Sequence, residues 1–181
     1  MKILFISLGC DKNLADSEEM LGLLTGNGHE IVDSEEEADA IVINTCCFIH
    51  DAKEESVNTI LEMAEYKKTG TCKILIVTGC MAQRYKEEIT EEIPEVDAVL
   101  GTTSYGDIVK ALNEAEAGHV FQEFKDINAL PEDSGRRVIT TGGHFGYLKI
   151  AEGCDKHCTY CIIPSLRGKF RSVPEERLLK Q

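Results

Sequence analysis

Three cysteines stand close together in the stretch EGCDKHCTYC (152–161). Cys154, Cys158 and Cys161 are separated by three and then two residues, a spacing that lets a short loop turn its thiols onto one metal centre. A structural zinc ion needs four ligands, and the nearby candidate His157 directly precedes a cysteine, which makes joint tetrahedral ligation awkward. A ferredoxin would supply a fourth cysteine close by, and none follows. The spacing therefore favours a cubane iron–sulfur cluster that leaves one iron open to a non-protein ligand.

Three further cysteines each follow an apolar segment. Cys10 comes after ILFISLG, Cys46 after AIVINT and Cys80 after ILIVTG, and each segment is typical of a buried parallel strand. Because the carboxyl ends of parallel strands meet at one edge of an open sheet, we expect these thiols to converge there on a metal or cluster site. Cys47 should point away from its neighbour and Cys72 precedes its strand, so both are interpreted as core thiols.

The elements that must position these cysteines alternate between strands and helices. The alternation over residues 1–118 predicts an α/β domain, a parallel sheet with helices on both faces. Residues 119–145 contain turn residues and are interpreted as a linker. Residues 146–181 are predicted to begin a second domain, whose first strand would be GYLKIAEG (146–153); because that domain is incomplete, we expect the chain to be part of a longer polypeptide. The predicted strands are 2–8, 29–33, 40–45, 73–78 and 97–101, and the predicted helices are 14–26, 51–66, 82–93 and 105–117.

The charge of the chain is unevenly distributed. Residues 1–135 carry 10 basic and 28 acidic side chains, whereas residues 136–181 carry 9 and 4. Such an acidic surface would repel a nucleic-acid backbone, so direct nucleic-acid binding is not expected; it would favour a basic protein partner, or serve only solubility. Arg167, Lys169 and Arg171 form a small basic run, interpreted as a solvated face in preference to a contact for an acidic substrate group.

Hydropathy indicates a cytoplasmic protein without a membrane partner. The N-terminal apolar run, Ile3 to Leu8, is shorter than the core of a signal peptide. No segment approaches the roughly 18 apolar residues that would span a bilayer. In a reducing compartment, eight cysteines are better explained by metal ligation or redox chemistry than by disulfides.

The Cx3Cx2C motif, with the aromatic Tyr160 before its last cysteine, resembles the signature of the radical S-adenosyl-L-methionine enzymes. The resemblance implies a 4Fe–4S cluster whose open iron binds the amino and carboxylate groups of S-adenosylmethionine. It also implies that the cluster loop follows the first strand of a partial (β/α) barrel, similar to 146–153 here. Tyr160 would flank the adenine of the cofactor; the alternative is an aromatic that packs in the core.

Together with Cys10, Cys46 and Cys80, the motif resembles the methylthiotransferases within that superfamily. The resemblance implies that these three cysteines hold a second 4Fe–4S cluster, which takes part in sulfur insertion, and that a second S-adenosylmethionine supplies the methyl group. SLGCDKNLADSE (7–18) is similar to members that methylthiolate an aspartate β-carbon of the small-subunit ribosomal protein number twelve. Members that modify tRNA typically have Gln-Met-Asn where DKN (11–13) stands.

The same resemblance implies two kinds of partner. The substrate would be the ribosomal protein, and the reductant would be an electron donor such as flavodoxin or ferredoxin. Two alternatives stay open from the sequence: a tRNA adenosine methylthiotransferase, and a non-catalytic iron–sulfur electron carrier. The stretch IPSLRGKFRS (163–172) also matches the pattern that follows the cluster loop in the methylthiotransferases.

Overall fold

A computed structural model of the protein describes residues 1–131 and 135–180. Its centre is a six-stranded sheet in which every pair of neighbouring strands is parallel. The strands are β1 (Lys2–Ser7), β2 (Glu30–Val32), β3 (Ala40–Thr45), β4 (Ile74–Gly79), β5 (Ala98–Leu100) and β6 (Phe121–Glu123). Their order is β2-β1-β3-β4-β5-β6, and β3 and β4, the most apolar runs, are buried along their whole length. The predicted α/β fold with a parallel sheet is confirmed.

Helices cover both faces of this sheet. The first five are α1 (Asp11–Gly26), α2 (His50–Thr69), α3 (Cys80–Arg84), α4 (Lys86–Glu92) and α5 (Ile108–Glu116). Helices α1 and α5 pack on one face through side chains such as Met20 and Leu112, while α2, α3 and α4 pack on the other through Ile60 and Ile89. The single helix predicted over 82–93 is two helices in the structure, because Tyr85 leaves the helical conformation with φ −121° and ψ 35°.

The strand order places a switch point beside the predicted cysteines. From β1 the chain moves outward to β2 and then crosses to the other side of β1 to form β3. Crevices form at the carboxyl ends of strands where the order reverses in this way. The loops that follow β1 and β3 therefore border such a crevice, and β4 is the next strand along the same edge.

The segment 119–145, which the sequence predicted to be a linker, makes several contacts with the N-terminal domain. Strand β6, which was not predicted, lies within it and pairs with β5 through the backbone. Further on, Val138 donates a backbone hydrogen bond of 3.0 Å to the carbonyl of Glu18. Arg137 forms an ion pair with the carboxylate of Glu18 at 2.5 Å. Residues 137–138 are therefore bound to helix α1.

The C-terminal segment forms a small substructure against the sheet domain. It contains β7 (Ala151–Glu152), α6 (Ile163–Arg167), β8 (Arg171–Ser172) and α7 (Glu175–Leu178). Strands β7 and β8 pair antiparallel, and the strand predicted over 146–153 is shortened to β7 because β8 offers a partner over only that length. Within the described residues, no helix combines the length and apolar composition needed to cross a bilayer.

Candidate metal centre

One cavity joins four of the six predicted ligands. Cys10, Cys46, Cys80 and Cys154 all line a space of about 590 Å³ at the carboxyl edge of the sheet. Three of them come from the N-terminal domain and the fourth from the Cx3Cx2C loop. Apolar side chains form much of the remaining wall: Phe48, Ile49, Ala52, Ile163 and Leu166.

The strand ends deliver the three N-terminal thiols to this cavity. Cys10 is exposed and precedes the first residue of α1, whereas Cys46 directly follows β3 and Cys80 directly follows β4, and both are buried. Ser56 fixes the backbone at Cys46: its hydroxyl accepts from the Cys46 N–H at 3.0 Å and donates to the Cys46 carbonyl at 2.8 Å. The position of Cys46 is therefore set by α2 as well as by β3.

Gly9 lets the loop after β1 pass close to Cys46. Its φ is +92°, and a Cβ on Gly9 would lie 2.6 Å from the Cβ and 2.9 Å from the Sγ of Cys46. A side chain at this position would be strained by its backbone angle and would collide with a predicted ligand. The absent side chain leaves room for Cys46 at the wall of the cavity.

Cys47 and Cys72 point elsewhere. The Cys47 thiol donates to the carbonyl of Cys80 at 3.3 Å inside the apolar core, and burial raises its pKa to about 11. The Cys72 thiol donates to the carbonyl of Ile74 at 3.3 Å, and burial raises its pKa as well. Neither lines the cavity, and the structure buries both as core thiols.

The Cx3Cx2C loop is only partly enclosed. Cys154 is half-buried, and its N–H donates to the carbonyl of Gly168 at 3.0 Å. Cys158 is exposed and Cys161 is half-buried; a turn links them, in which the Cys161 N–H donates to the Cys158 carbonyl at 3.0 Å. Neither of these two lines the cavity. Tyr160 is 90% exposed, so it does not pack in the core.

The donors at the cavity are thiols, which are the ligands of iron–sulfur clusters. In the part of the chain that the structure describes, no three Cys, His, Asp or Glu side chains close around one point. In a cubane cluster each thiolate binds a different iron, so its ligands stand further apart than those of a mononuclear ion. Thiols on the walls of a wide, largely apolar cavity fit that larger group.

Asn13 lies beneath the cavity and connects its walls. Its amide nitrogen donates to the carbonyls of Leu8 at 3.0 Å and Thr45 at 2.9 Å, which ties together the loops after β1 and β3. Its amide oxygen accepts from Arg167 at 2.5 Å and from the thiol of Cys80 at 3.7 Å. From the sequence, Asn13 was notable only as part of DKN (11–13), although its place three residues after Cys10 puts it in the first turn of α1.

Arg167 brings a buried positive charge to the same place. Its Nη1 donates to Asp16 at 2.6 Å and to Glu152 at 3.1 Å, and Lys149 pairs with the same two carboxylates. Burial alone would lower the pKa of Arg167, but Asp16, Cys80 and Glu152 together raise it well above its ordinary value. The guanidinium is therefore charged beside the thiol of Cys80.

The interpretation of the basic run as a solvated face is wrong for Arg167. Its side chain is 3% exposed, because α6 turns it inward against α1. Lys169 is exposed, as expected of a solvated residue, and Arg171 is half-buried and donates to the carbonyl of Arg167 at 3.1 Å. The composition of this basic run does not show which of its side chains are buried and which are exposed.

Comparison with known proteins gives one family and a consistent set of relatives. Residues 2–101 match the family described as uncharacterized protein family UPF0004. The whole chain is 66% identical over 181 residues to the ribosomal protein uS12 methylthiotransferase RimO of Lachnoclostridium phytofermentans and 51% identical to that of Clostridioides difficile. Over 174 residues, 96% of the chain, it is 50% identical to the protein of the same name from Desulforamulus reducens. The chain spans 41%, 41% and 39% of the lengths of these relatives.

Proposed function

Because this chain belongs to the UPF0004 family and is similar along its length to the N-terminal part of uS12 methylthiotransferases, we propose that it takes part in methylthiolation of an aspartate β-carbon in ribosomal protein uS12. The observation that supports the proposal most strongly is the shared cavity of Cys10, Cys46, Cys80 and Cys154. In this cavity Cys154, a thiol of the Cx3Cx2C motif, shares one space with three thiols from the N-terminal domain. An electron carrier with one cluster needs no such second set of thiols.

The cysteines divide into two ligand sets. Cys10, Cys46 and Cys80 would hold an auxiliary 4Fe–4S cluster, and the three cysteines of the Cx3Cx2C motif would hold a second 4Fe–4S cluster, with Tyr160 beside S-adenosylmethionine. When bound, these groups would supply a carbon radical able to remove a hydrogen atom from an unactivated C–H bond, together with the sulfur and the methyl group. A β-carbon of aspartate has no proton that a general base could remove at neutral pH, so the reaction needs that chemistry.

The side chains of this chain prepare the space for it. Cys46 and Cys80 are held on buried strand ends, so their thiols cannot drift from the cavity. Leu166 is buried and lines the cavity with apolar atoms, which limits water on that wall and strengthens electrostatic interactions there, whereas Phe48 and Ile49 are apolar but exposed. Cys10 stays at the exposed rim.

The remaining assignments follow from the same proposal. The substrate would be a basic ribosomal protein, which the acidic surface of the N-terminal domain attracts, and the reductant would be flavodoxin or ferredoxin. The described cysteines are all unpaired, which suits the reducing cytoplasm. We assign residues 1–118 to the N-terminal methylthiotransferase domain, 119–145 to a linker whose strand β6 completes the sheet of that domain, and 146–181 to the start of the radical S-adenosylmethionine domain.

Metal analysis of this chain tests the ligand sets. After anaerobic reconstitution we expect about eight irons per chain, with matching acid-labile sulfide, as two cubane clusters require. Replacing Cys10, Cys46 and Cys80 by Ala should leave about four irons, and replacing the three motif cysteines should also leave about four. A total of about four irons that disappears with the motif cysteines would show that the N-terminal thiols bind no cluster.

Product analysis of the full-length protein tests the substrate. The protein is incubated anaerobically with S-adenosylmethionine, a reductant and either ribosomal protein uS12 or tRNA. We expect the mass increase of a methylthio group on an aspartate of uS12 alone. The same mass increase on tRNA, with unmodified uS12, would overturn the proposed substrate and support the tRNA-modifying alternative.

A further inference from the structure

The side chain of Arg167 connects two parts of the chain that lie far apart in sequence. It belongs to α6, which follows the Cx3Cx2C loop, yet its guanidinium is buried against the first turns of α1. The contacts span more than 150 positions: Nη2 donates to Asn13 at 2.5 Å and Nη1 donates to Asp16 at 2.6 Å. The planar guanidinium has its donors in a fixed fork, so two acceptors on one helix define its orientation.

Each end of this connection leads to a predicted ligand. On one side, Asn13 holds the loops after β1 and β3, which carry Cys10 and Cys46. On the other side, Gly168, the residue after Arg167, accepts the backbone hydrogen bond of Cys154 at 3.0 Å. A single side chain thus links the wall formed by the N-terminal thiols to the wall that carries Cys154.

The charges around Arg167 make the connection cooperative. Asp16 and Glu152 are buried together with Arg167 and Lys149, so two carboxylates compensate two cations. Asp16 belongs to α1, whereas Glu152 and both cations belong to the C-terminal segment, so Asp16 would lose both of its partners if the segment left α1. Removing one member of a buried ion pair leaves an uncompensated charge, which is strongly unfavourable. The cluster of charges therefore favours one docked arrangement of the segment.

We infer that Arg167 is a positioning residue of the proposed active site: it fixes the Cx3Cx2C segment on α1 so that Cys154 faces Cys10, Cys46 and Cys80 across one cavity. The purpose of that arrangement rests on the proposed function, but the arrangement itself is a property of this chain. A second effect follows from the charge beside Cys80. A buried cation stabilises the more negative, reduced form of a nearby cluster, so Arg167 raises the reduction potential of the cluster that Cys80 would bind.

Two substitutions separate the charge of Arg167 from its geometry. Arg167→Met removes both the charge and the hydrogen bonds, whereas Arg167→Lys keeps a cation and loses the fork. Lys169→Met is the matched control, because it removes a cation from an exposed side chain two residues away in the same segment. Hydrogen exchange of the buried strands β3 and β4 shows that each variant keeps the folded sheet.

Thiol cross-linking of the cluster-free chain tests the positioning. A short bifunctional thiol reagent should join Cys154 to Cys10, Cys46 or Cys80 in the unmodified chain and in Lys169→Met, as mapped by mass spectrometry. We expect the yield to fall by about tenfold or more in Arg167→Met, because the segment opens locally while the sheet stays folded. Arg167→Lys should also fall clearly below the unmodified chain. An unchanged yield in Arg167→Met, or full rescue by Arg167→Lys, would overturn the inference.

The reduction potential provides a readout that a merely structural residue would not move. In the reconstituted chain, Arg167→Met should shift the potential of the auxiliary cluster to a more negative value, while Arg167→Lys and Lys169→Met stay near the unmodified protein. Equal potentials in all four proteins would overturn the electrostatic part of the inference. If the unmodified chain takes up no iron, the proposed function fails, while the cross-linking result still decides the positioning role of Arg167.

Discussion

Gly9→Ala tests how closely the loop after β1 must approach Cys46. Gly9 has a φ of +92°, and its added methyl group would lie 2.6 Å from the Cβ and 2.9 Å from the Sγ of Cys46. Gly28→Ala is a matched control, because Gly28 has a φ of +83° but no atom within 4 Å of an added Cβ. The two substitutions share the backbone strain, and only Gly9→Ala adds the collision.

The magnitudes of the two effects can be separated. Placing an L-residue in the left-handed region costs about 1–2 kcal/mol, which should be the whole loss of unfolding free energy in Gly28→Ala. Forcing an extra methyl group into a packed site costs about 1–3 kcal/mol more, because Cys46 is held by Ser56 and cannot retreat freely. We therefore expect Gly9→Ala to lose about 2–5 kcal/mol.

Urea unfolding of the cluster-free chain measures both losses from the midpoint, provided that the slope of the transition is unchanged. Iron analysis after reconstitution then shows whether Cys46 has moved: Gly28→Ala should bind the full amount, and Gly9→Ala should lose up to about four irons. Equal stability and equal iron content in the two variants would refute the reasoning, because the collision with Cys46 would then have no consequence.

Two shorter predictions concern neighbouring side chains. Cys47→Ala should keep the full iron content and lose about 1–2 kcal/mol of unfolding free energy, because Cys47 packs in the core. Cys46→Ala should lose the auxiliary cluster. Loss of iron from Cys47→Ala would contradict the assignment of Cys47 as a core thiol. Burial alone would raise the pKa of Glu18, but hydrogen bonds from Thr140 and Arg137 outweigh it and lower the pKa below its ordinary value of 4.5. Ionised Glu18 therefore stabilises the fold above that pH. In urea titrations, the unfolding free energy of the unmodified chain should exceed that of Glu18→Gln by less and less as the pH falls from 6 to 3. A difference in unfolding free energy that stays constant over this range would contradict the prediction.

The sequence predicted the elements that have a strong local signal. Strands β1, β3 and β4 are continuous apolar runs, and this pattern alone located them within one or two residues; β3 and β4 are buried along their whole length, and β1 is buried at Ile3 and Leu4. The placement of Cys10, Cys46 and Cys80 at one edge follows from a general property of parallel sheets, which is independent of detailed packing. These features are determined by residues that are close together in the sequence, so the sequence alone predicts them.

Other features depend on partners that are distant in sequence. Strand β6 is only three residues long and is positioned by its pairing with β5, so its sequence has no apolar run that would predict a strand. Arg167 and Lys169 have the same charge and lie two residues apart, yet only Arg167 meets buried acceptors on α1. A sequence pattern gives the charge of a side chain, whereas its burial depends on what lies opposite.

The charge asymmetry of the chain gains a second meaning from the structure. The acidic surplus of residues 1–135 was interpreted as favouring a basic protein partner, but the first basic partner is the chain's own C-terminal segment. Arg137 pairs with Glu18 and Arg167 pairs with Asp16, all in buried positions that no external protein can reach. The acids of α4 are exposed on the face of the sheet opposite α1, so surfaces of this kind would attract the basic substrate proposed above. Because salt screens exposed charges much more than buried pairs, it should weaken capture of the proposed substrate well before it loosens the docked segment.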